Sequence, residues 1–487
     1  MNTKLLKQKI LDLAIRGKLT QQLKTDGTAA DLLKEISSTC HSGAKRSGAI
    51  ESKKLKDPEQ IIPLDKSEAP FEIPPNWEWV CVDAIASLIT DGEHLTPRRI
   101  ESFEGYYLLS ARNIQDNAIH LNDVDYVDEE EYNRISKRCN PRKDDVLISC
   151  SGSIGRVAVV KDDNKYVMVR SAAMIRPVLV HSYYLMYVLQ SNCLQSQIQN
   201  YSKQTAQANL FQAAIRALQI PLPPLAEQQR IVAKIEEAFA EIDAIEKNKE
   251  LLKTHIKQTR QKILDLAIHG KLVPQNKTDE PASVLLERIT RDNPHYEKMT
   301  DIPFEIPESW EWVKLGDVCE PIKRGKSPKY IEQSNVLVFA QKCNQKDGPI
   351  SLEKALYLDE STLSKYPEEE FLQKGDVVIN STGTGTLGRV GYFNTELPQG
   401  IKGIVPDSHV TTIRSSVVNP KYLYCFLKNK QSYLEKNGEG STNQKELKPH
   451  TIYDLEFPLP PLAEQKRIVD KIEEIFASLN EISLHLV

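Results

Sequence analysis

The sequence lacks several features that define large classes of protein. Its 487 residues contain no run of about 18 apolar residues, which excludes a conventional membrane-spanning helix. The eight cysteines are scattered and form no CxxC pair, so we expect reduced thiols rather than a disulfide framework or a metal site. The net charge of −4 gives the whole molecule no electrostatic signature of a nucleic-acid binder, so any such surface must be local or supplied partly by a partner. A phosphate-binding GxxxxGK(S/T) loop, an HExxH motif and a GxSxG motif are also missing, so no common catalytic machinery is indicated.

The N-terminus and the composition are typical of a cytoplasmic protein. The first residues, MNTKLLKQKILDL, interrupt their apolar positions with lysines at helical spacing, which is not the pattern of a secretory signal. Hydrophobic residues make up 40% of the chain and charged residues 27%, as in a globular protein of about two to four domains. We therefore expect a cytoplasmic protein that holds no metal and no organic cofactor.

What the sequence does contain is an internal repeat. Repeats of this kind have to be settled before the fold, because each copy is one structural unit. The paired segments are IPLPPLAEQQRIVAKIEE at 220–237 with FPLPPLAEQKRIVDKIEE at 457–474, KILDLAIRGKL at 9–19 with KILDLAIHGKL at 262–272, and FEIPPNWEWV at 71–80 with FEIPESWEWV at 304–313.

The offsets between the copies give the repeat a circular order. Adding 253 moves the N-terminal copy onto the middle of the chain, so that Met1 falls on Thr254. Subtracting 237 moves the C-terminal copy there as well, so that Val487 falls on Glu250 and only residues 251–253 stay uncovered. In sequence terms, the chain is a ring of two repeats that is cut open inside one copy of a conserved segment.

Each repeat consists of a variable block and a conserved helix. Both blocks mix short β-branched runs with turn residues and hold one tyrosine-rich helix, at 183–192 and 422–430, which is typical of a compact α+β domain. The expected order is a helical N-terminal part of the split conserved segment, a polar connector, a first variable block, a central conserved helical region with its own connector, a second variable block and a C-terminal conserved helix. Their bounds are 1–36, 37–69, 70–224, 225–302, 303–461 and 462–487.

The central conserved segment predicts a long helix. Pro223 and Pro224 suit the start of a helix, and Glu227 falls in the first turn, where the helix dipole favours an acid. Apolar residues then recur every three or four positions until Gly270, which provides a stop. A helix over 225–269 would be roughly 65–70 Å long. The split copy connects the blocks in the opposite sense, so we expect two long antiparallel helices with a pseudo-twofold axis between two similar domains.

A glycine-rich loop in the second block, Gly383 to Gly388, matches the dinucleotide-binding pattern GxGxxG. That function requires a helix to open at the third glycine, so that its N-terminus meets the pyrophosphate. Here the chain continues with RVGYF, a strand pattern, and the counterpart loop Ser151 to Gly155 lacks the fingerprint. We therefore expect a glycine turn between paired strands, and a dinucleotide-dependent oxidoreductase is the less favoured alternative.

The repeated PLPPLAEQ helices, the paired FEIPxxWEWV segments, the GRV turns and the split between the termini resemble the DNA specificity subunit of type I restriction–modification systems. The resemblance covers nearly the whole chain. It implies that the blocks at 70–224 and 303–461 are target-recognition domains, each reading one half of an asymmetric bipartite site on double-stranded DNA. It also implies two kinds of partner: two modification subunits, which methylate adenine with S-adenosylmethionine, and motor-nuclease subunits, which translocate and cleave DNA with ATP.

The resemblance implies that the chain itself is a non-catalytic specificity subunit. The sequence lacks the Asn/Asp-Pro-Pro-Tyr/Phe box of adenine methyltransferases, and the nearest string, Asn293 to Tyr296, lies in a polar connector. A recognition subunit of a related system that cuts on both sides of its site stays an alternative, which the neighbouring genes would distinguish.

Polar and basic loops within the two blocks are the expected DNA contacts. Arg, Lys, Asn and Gln read base edges in the major groove, while Ser, Thr and Lys often contact phosphate. In the first block the expected contacts are Arg98, Arg99, Arg112, Asn113, Gln115, Ser151, Ser153, Arg156, Lys203, Gln204 and Gln207. In the second block they are Lys323, Arg324, Lys326, Lys329, Gln341, Lys342, Thr384, Thr386, Arg389, Thr442, Asn443 and Gln444. Trp77, Trp79, Trp310 and Trp312, by contrast, are expected to be packing anchors.

Overall fold

The chain forms two units, Met1–Asn248 (unit 1) and Lys249–Val487 (unit 2), in a computed structural model. The boundary falls in the polar stretch from Glu246 to Glu250, where the offsets of the repeat place the cut of the other copy. No helix in the described part of the chain is both long and apolar enough to cross a membrane. The structure describes residues 2–43, 69–101, 105–163, 165–203, 208–291, 296, 298–300, 302–346, 348–383, 385–439 and 445–486.

Helices flank the sheets of both units, and one helix is shared between them. Unit 1 contains α1 (Thr3–Ile15), α2 (Ala29–Gly43), α3 (Glu129–Ser136), α4 (Ser182–Gln190), α5 (Asn192–Ser202) and α6 (Gln212–Ala217). Helix α7 (Leu225–Ile268) begins in unit 1 and ends in unit 2, and it agrees with the predicted helix over 225–269 to within one residue. Unit 2 continues with α8 (Ala282–Thr290), α9 (Leu315–Val318), α10 (Pro420–Asn429), α11 (Gln431–Lys436), α12 (Pro449–Tyr453) and α13 (Leu462–Leu484).

Short strands form corresponding sheets in both units, which confirms the α+β class and the internal repeat. The strands of unit 1 are β1 (Glu78–Cys81), β2 (Ala86–Asp91), β3 (Tyr106–Leu109), β4 (Ile114–Gln115), β5 (Ala118–Ile119), β6 (Asp125–Val127), β7 (Val146–Ser149), β8 (Val157–Val159), β9 (Tyr166–Met168), β10 (Ala172–Pro177) and β11 (Gln219–Leu222). Those of unit 2 are β12 (Glu311–Lys314), β13 (Ile322–Arg324), β14 (Tyr330–Ile331), β15 (Val336–Phe339), β16 (Leu356–Leu358), β17 (Val377–Asn380), β18 (Val390–Tyr392), β19 (Gly403–Pro406), β20 (Val410–Ile413) and β21 (Glu456–Leu459).

The pairing of the strands repeats from unit to unit. The order β2-β10-β7-β8 in unit 1 matches β13-β20-β17-β18 in unit 2, and β1-β11 matches β12-β21. A second sheet runs β6-β3-β9 in unit 1 and β14-β16-β15-β19 in unit 2, with a parallel pair β3–β9 or β15–β19 in each. Successive side chains of β7 enter two different cores, because strand side chains alternate between faces: Val146 and Ile148 pack towards the helices, while Leu147 packs against the second sheet.

The helix predicted over 1–36 is broken in its middle, because α1 ends at Ile15 and α2 begins only at Ala29. Gly17 adopts φ +66°, and its N–H donates to Ala14 O while Lys18 N–H donates to Leu13 O, which closes the helix in a left-handed turn. Gly270 ends α7 with the same pair of bonds and φ +65°, as predicted. Helix α2 also extends beyond the predicted start of the connector at 37, most of which lies outside the described residues.

Each unit contains one antiparallel pairing of conserved helices. In unit 1, Lys7 of α1 pairs with Asp243 of α7, and Asp26 beyond the end of α1 pairs with Arg230 of α7 at 2.6 Å. Residue numbers rise along α1 as they fall along α7, so the two helices are antiparallel. In unit 2, Arg260 of α7 hydrogen bonds to Asn480 of α13, while Asp279 pairs with Arg467 at 2.6 Å. The predicted antiparallel arrangement therefore exists within each unit.

The repeated tryptophans anchor these helices to the sheets, as predicted. Trp77 and Trp310 are 2% and 4% exposed, and their indole N–H groups donate to Glu227 (2.8 Å) and Glu464 (3.0 Å) in the first turns of α7 and α13. The other two repeated tryptophans, Trp79 and Trp312, are also buried.

The glycine loop of unit 2 is a turn between paired strands, so the dinucleotide-binding alternative is wrong. Strand β17 pairs antiparallel with β18, with Ile379 opposite Val390, and Gly383 and Gly388 with positive φ lie between them. Because the chain enters a strand after the third glycine, there is no helix N-terminus to meet a pyrophosphate.

Candidate nucleic-acid interface

The polar loops of unit 1 meet at one edge of its sheets, where β2, β3 and β7 end and β10 begins. The N–H of Gly92 donates to Ala172 O (3.0 Å), and the N–H of Cys150 donates to Ser171 O (2.7 Å). The N–H of Leu210 in turn donates to Cys150 O (2.8 Å), which attaches the segment after α5 to the same edge. Loops that are far apart in sequence therefore form one surface.

Three of the predicted arginines in unit 1 are held by carboxylates. Arg98 donates to Asp128 (2.6 Å), while Arg99 (2.8 Å) and Arg112 (2.7 Å) both donate to Asp125. Burial of Asp125 would raise its pKa, but the two guanidinium groups outweigh that effect and hold the pKa below its ordinary value. A guanidinium has five N–H donors, and these contacts use only one or two, so the arginines are oriented and still able to donate to phosphate or to base edges.

The other predicted residues of this unit differ in accessibility. Gln115 lies near Arg112 and donates to its carbonyl oxygen at 3.0 Å. Ser151 and Arg156 are half-buried in the turn between β7 and β8, whereas Ser153 in the same turn is exposed. Lys203 is exposed at the end of α5.

Asn113 is a structural residue of its turn, contrary to the prediction. It is 2% exposed, its side-chain oxygen accepts from the N–H of Ser110 (2.9 Å), and its amide nitrogen donates to the carbonyl oxygens of His120 and Asp123 (3.1 Å each). A buried amide that is saturated by backbone partners cannot also read a base edge, because its donors and acceptor are already used.

The loops of unit 2 meet at the corresponding edge through equivalent bonds. The N–H of Gly325 donates to Val410 O (2.9 Å), and the N–H of Ser381 donates to His409 O (2.8 Å). The N–H of Leu447 donates to Ser381 O (2.8 Å), which corresponds to the bond from Leu210 to Cys150 in unit 1.

Basic side chains of unit 2 gather around one glutamate. Lys323 and Lys326 both pair with Glu370, Lys326 at 2.8 Å. Burial opposes ionisation of Glu370, yet the two ammonium groups lower its pKa. Lys329, farther along the same loop, is exposed.

The glycine turn of unit 2 is held against the loop that follows β15. Thr386 donates to the side-chain oxygen of Gln341 (2.7 Å), and Arg389 donates to the carbonyl oxygen of Asn344 (2.7 Å). Lys342 in that loop is exposed. The structure thus brings four residues of the prediction together at this edge.

A cleft of about 300 Å³ opens beside the same turn. Arg324 lies at this edge as well, where it bonds to Glu446 and to the carbonyl oxygen of Ser408. The cleft is lined by Lys346, Gly383, Gly385, Thr386, Leu387, Arg389, Glu435 and Lys445. Among the residues that the structure describes, the lining holds three cations and one carboxylate, which gives a locally basic surface on a chain that is acidic as a whole.

Sequence reasoning missed exposed cations at both edges. Arg170 lies between β9 and β10, where the surrounding apolar residues conceal it in a strand pattern, and Lys346 lies in a polar stretch without a motif. The equivalence of the two units is the signal that would have identified these turns. Six predicted residues, Gln204, Gln207, Thr384, Thr442, Asn443 and Gln444, lie outside the described residues.

Comparison with known proteins decides the family. A model described as the type I restriction modification DNA specificity domain matches residues 74–254 and 307–485, well over half of the chain. The chain belongs to this family of DNA specificity proteins. As a type I specificity subunit it recognises DNA sequence and is not itself an enzyme. One match covers the sheets of unit 1 and the other those of unit 2, in agreement with the two converging edges.

Curated relatives extend over most of this specificity subunit. The EcoAI specificity subunit of Escherichia coli is 23% identical over 559 aligned positions, which span 98% of this chain and 90% of the relative. The EcoEI specificity subunit, also from Escherichia coli, is 23% identical over 99% of this chain and 90% of its own length. The EcoBI specificity subunit of the same organism is 30% identical, but over 38% of this chain and 41% of its own.

Solved structures share the fold. The HsdS subunit of Thermoanaerobacter tengcongensis has a TM-score of 0.53 and 18% identity, covering 86% of this chain and 94% of the other. A chain from a study of complex assembly and conformational transition of the type I R-M system gives the same TM-score, with 19% identity and the same coverage. At these identities the likeness concerns the fold alone.

Proposed function

We propose that this specificity subunit reads an asymmetric, two-part target on double-stranded DNA, with unit 1 reading one half-site and unit 2 the other. The target-recognition domains are residues 70–224 and 303–461. The observation that supports this most directly is the edge at which the loops of each unit converge, held by equivalent backbone bonds but carrying different side chains. Two similar frameworks with different edges suit two different half-sites.

The subunit directs chemistry that other chains perform. In this proposal it binds two modification subunits, which methylate adenine, and motor-nuclease subunits, which cleave DNA. The two copies of the conserved helices support a pair of methylating partners, since each unit presents its own antiparallel pair. The distance between the half-sites is set by these helices, as half-site spacing follows protein geometry in other two-part DNA readers.

A domain exchange tests the proposal. Residues 70–224 are replaced by the corresponding block of the EcoAI specificity subunit, and the hybrid is combined with modification subunits and double-stranded DNA. Mapping of methylated adenines is expected to show one altered half-site and one unchanged half-site. The reciprocal exchange of 303–461 is the matched control and should alter the other half. Changes in both halves from one exchange, or methylation by the isolated chain, would contradict the proposal.

A further inference from the structure

The two units carry different chemistry at structurally equivalent positions of their second sheets. In unit 1, Tyr107 of β3 pairs with Tyr126 of β6, and Asp125 follows in register. In unit 2, Leu337 of β15 pairs with Tyr357 of β16. Strands β3 and β15 correspond because each also runs parallel to an equivalent strand, β9 or β19. Tyr126 therefore corresponds to Tyr357, and the residue before this tyrosine is Asp125 in unit 1 and Leu356 in unit 2.

The outer neighbour of this pair is equivalent as well. Ile100 bridges to Tyr126 in unit 1, and Ile331 pairs with Tyr357 in unit 2, so Ile100 corresponds to Ile331. The residue before each isoleucine is Arg99 in unit 1 and Tyr330 in unit 2.

A third position joins the first two. The single helical turns after β3 and β15, Ala111–Asn113 and Gln341–Cys343, place Arg112 and Lys342 at the same point.

Contacts in unit 1 prove that the three positions share one face. Asp125 accepts from Arg99 at 2.8 Å and from Arg112 at 2.7 Å, so all three side chains meet. Because the backbone register is the same in unit 2, Tyr330, Leu356 and Lys342 occupy the corresponding face there. A charged cluster in one unit is thus replaced by an apolar pair beside a lysine in the other.

The apolar pair of unit 2, Tyr330 and Leu356, is unusually open to solvent. The two residues are 51% and 46% exposed, although Leu358, on the same face, is fully buried. Two exposed lysines form one rim of the pair: Lys329 directly precedes Tyr330 in the chain, and Lys342 stands at the place of Arg112. The acids Glu332 and Asp359 directly follow the same two strands, and hydrogen bonds from Ser361 lower the pKa of Asp359, which is close enough to Lys329 for that lysine to lower it further. An apolar patch with lysines at one rim can bind a polyanion that also offers apolar groups, and DNA is such a ligand through its phosphates and its thymine methyl groups.

We propose that Tyr330 and Leu356 contact a thymine methyl group in the half-site read by unit 2, while the lysines at the rim bind phosphate. This inference rests on the proposed function. The equivalent cluster in unit 1 reads its half-site differently, through the guanidinium groups of Arg99 and Arg112, which donate hydrogen bonds. The two units thus use one position of a shared framework for two kinds of recognition, apolar contact in one and hydrogen bonding in the other.

The test removes single methyl groups from the DNA. The full chain is assembled with its modification subunits, and its affinity is measured for duplexes in which each thymine of the target is replaced in turn by deoxyuridine. One replacement in the half-site of unit 2 is expected to weaken binding about fourfold, which is the effect of one buried methyl group. In the variants Leu356→Ser and Tyr330→Ser the same replacement should cost little, because the contact is already lost.

A matched control and a second measurement make the test specific. Ile302→Ser removes another exposed apolar side chain of unit 2, 68% exposed, and should leave every thymine effect unchanged. The salt dependence of binding should stay the same in Leu356→Ser, since an apolar contact releases no counterion, whereas a phosphate contact would lower the slope by about one.

Several outcomes would overturn the inference. Thymine replacements that cost the same in the wild type and in both variants would do so, as would a unit 2 half-site without thymine. Loss of modification-subunit binding in the variants, with unchanged DNA effects, would assign the pair to a protein interface instead. A wild-type complex that binds no two-part target at all would refute the proposed function rather than this inference alone.

Discussion

Unit 1 and unit 2 agree where the conserved helices meet the sheets and differ where the loops converge. At the junction of the conserved helices with the sheets, Glu227 and Glu464 each accept a hydrogen bond from a buried tryptophan. Gln228 and Gln465, the next residues, each accept from the backbone N–H just before a tyrosine-rich helix. At the edge, by contrast, Asp125 and Arg99 of unit 1 are replaced by Leu356 and Tyr330 in unit 2, and the position of Arg112 keeps a cation, Lys342.

The helix–sheet contacts and the loop edges differ in their access to water. A carboxylate that is removed from water needs hydrogen-bond partners of fixed geometry, so a change in one partner leaves the others unsatisfied. A side chain at the exposed edge has water as an alternative partner, so its replacement costs the fold little. Folding therefore constrains the side chains of the framework more strongly than those of the edge.

The largest expected effect is the loss of a tryptophan anchor. Trp77→Ala should lower the free energy of unfolding of unit 1 by about 3–5 kcal/mol, since it opens a cavity and leaves Glu227 with one partner fewer. Trp310→Ala should do the same in unit 2. Hydrogen exchange on the intact chain measures which unit is destabilised by each variant. Equal destabilisation of both units by one variant would contradict the assignment of each tryptophan to its own unit.

A smaller effect is expected at the buried glutamates. Glu464→Ala should cost about 3 kcal/mol, because Trp310 and Gln275 lose their acceptor. Burial raises the pKa of Glu464 above its ordinary value of 4.5, so the folded state holds its proton more tightly than the unfolded state. Stability from this group is then present below about pH 4.5 and is lost as the pH rises through the folded pKa.

Urea unfolding across that pH range measures the effect. Glu464→Gln should flatten the dependence, and the surface variant Glu481→Gln serves as the control. An unchanged slope in Glu464→Gln would argue against this origin.

The glycines that end α1 and α7 should respond alike. Gly17→Ala and Gly270→Ala should each lower the free energy of unfolding by about 2 kcal/mol. The alanine would have to adopt the left-handed backbone conformation of the glycine, and its Cβ would lie 2.3–2.4 Å from Pro74 or Pro307. Gly152→Ala is the control, because it has φ +69° but open space around it, and should cost about 1 kcal/mol. Equal losses at all three sites in thermal unfolding would exclude a role for the prolines.

The smallest effect is expected at the paired arginines. Arg230 and Arg467 bind Asp26 and Asp279 through two nitrogens each. Replacement by lysine keeps the charge but loses the bidentate geometry, so each variant should lose about 0.5–1 kcal/mol in urea unfolding. A clear difference between the two variants would show that the junctions are not energetically equivalent.

Much of the framework could be predicted because it rests on periodicity and on the repeat. The bounds of α7 and the stop at Gly270 followed from local rules. The break at Gly17 was missed, although the offset of 253 places it on Gly270 and the same rule applies. Asn113 was misjudged because its burial depends on two carbonyl groups that the sequence does not mark. Ion pairs such as that of Arg99 with Asp125 form between segments brought together only by folding.

Helix α7 has a consequence for how new specificities arise. Its first half packs in the core of unit 1 and its second half in the core of unit 2. The boundary between the units, at Asn248, falls in a polar stretch of the helix. Two genes of this family that recombine within the codons for that stretch would produce a hybrid with two intact cores. Under the proposed two-part reading, such a hybrid would inherit each half of its recognition from a different parent, so a new specificity would appear in one genetic step.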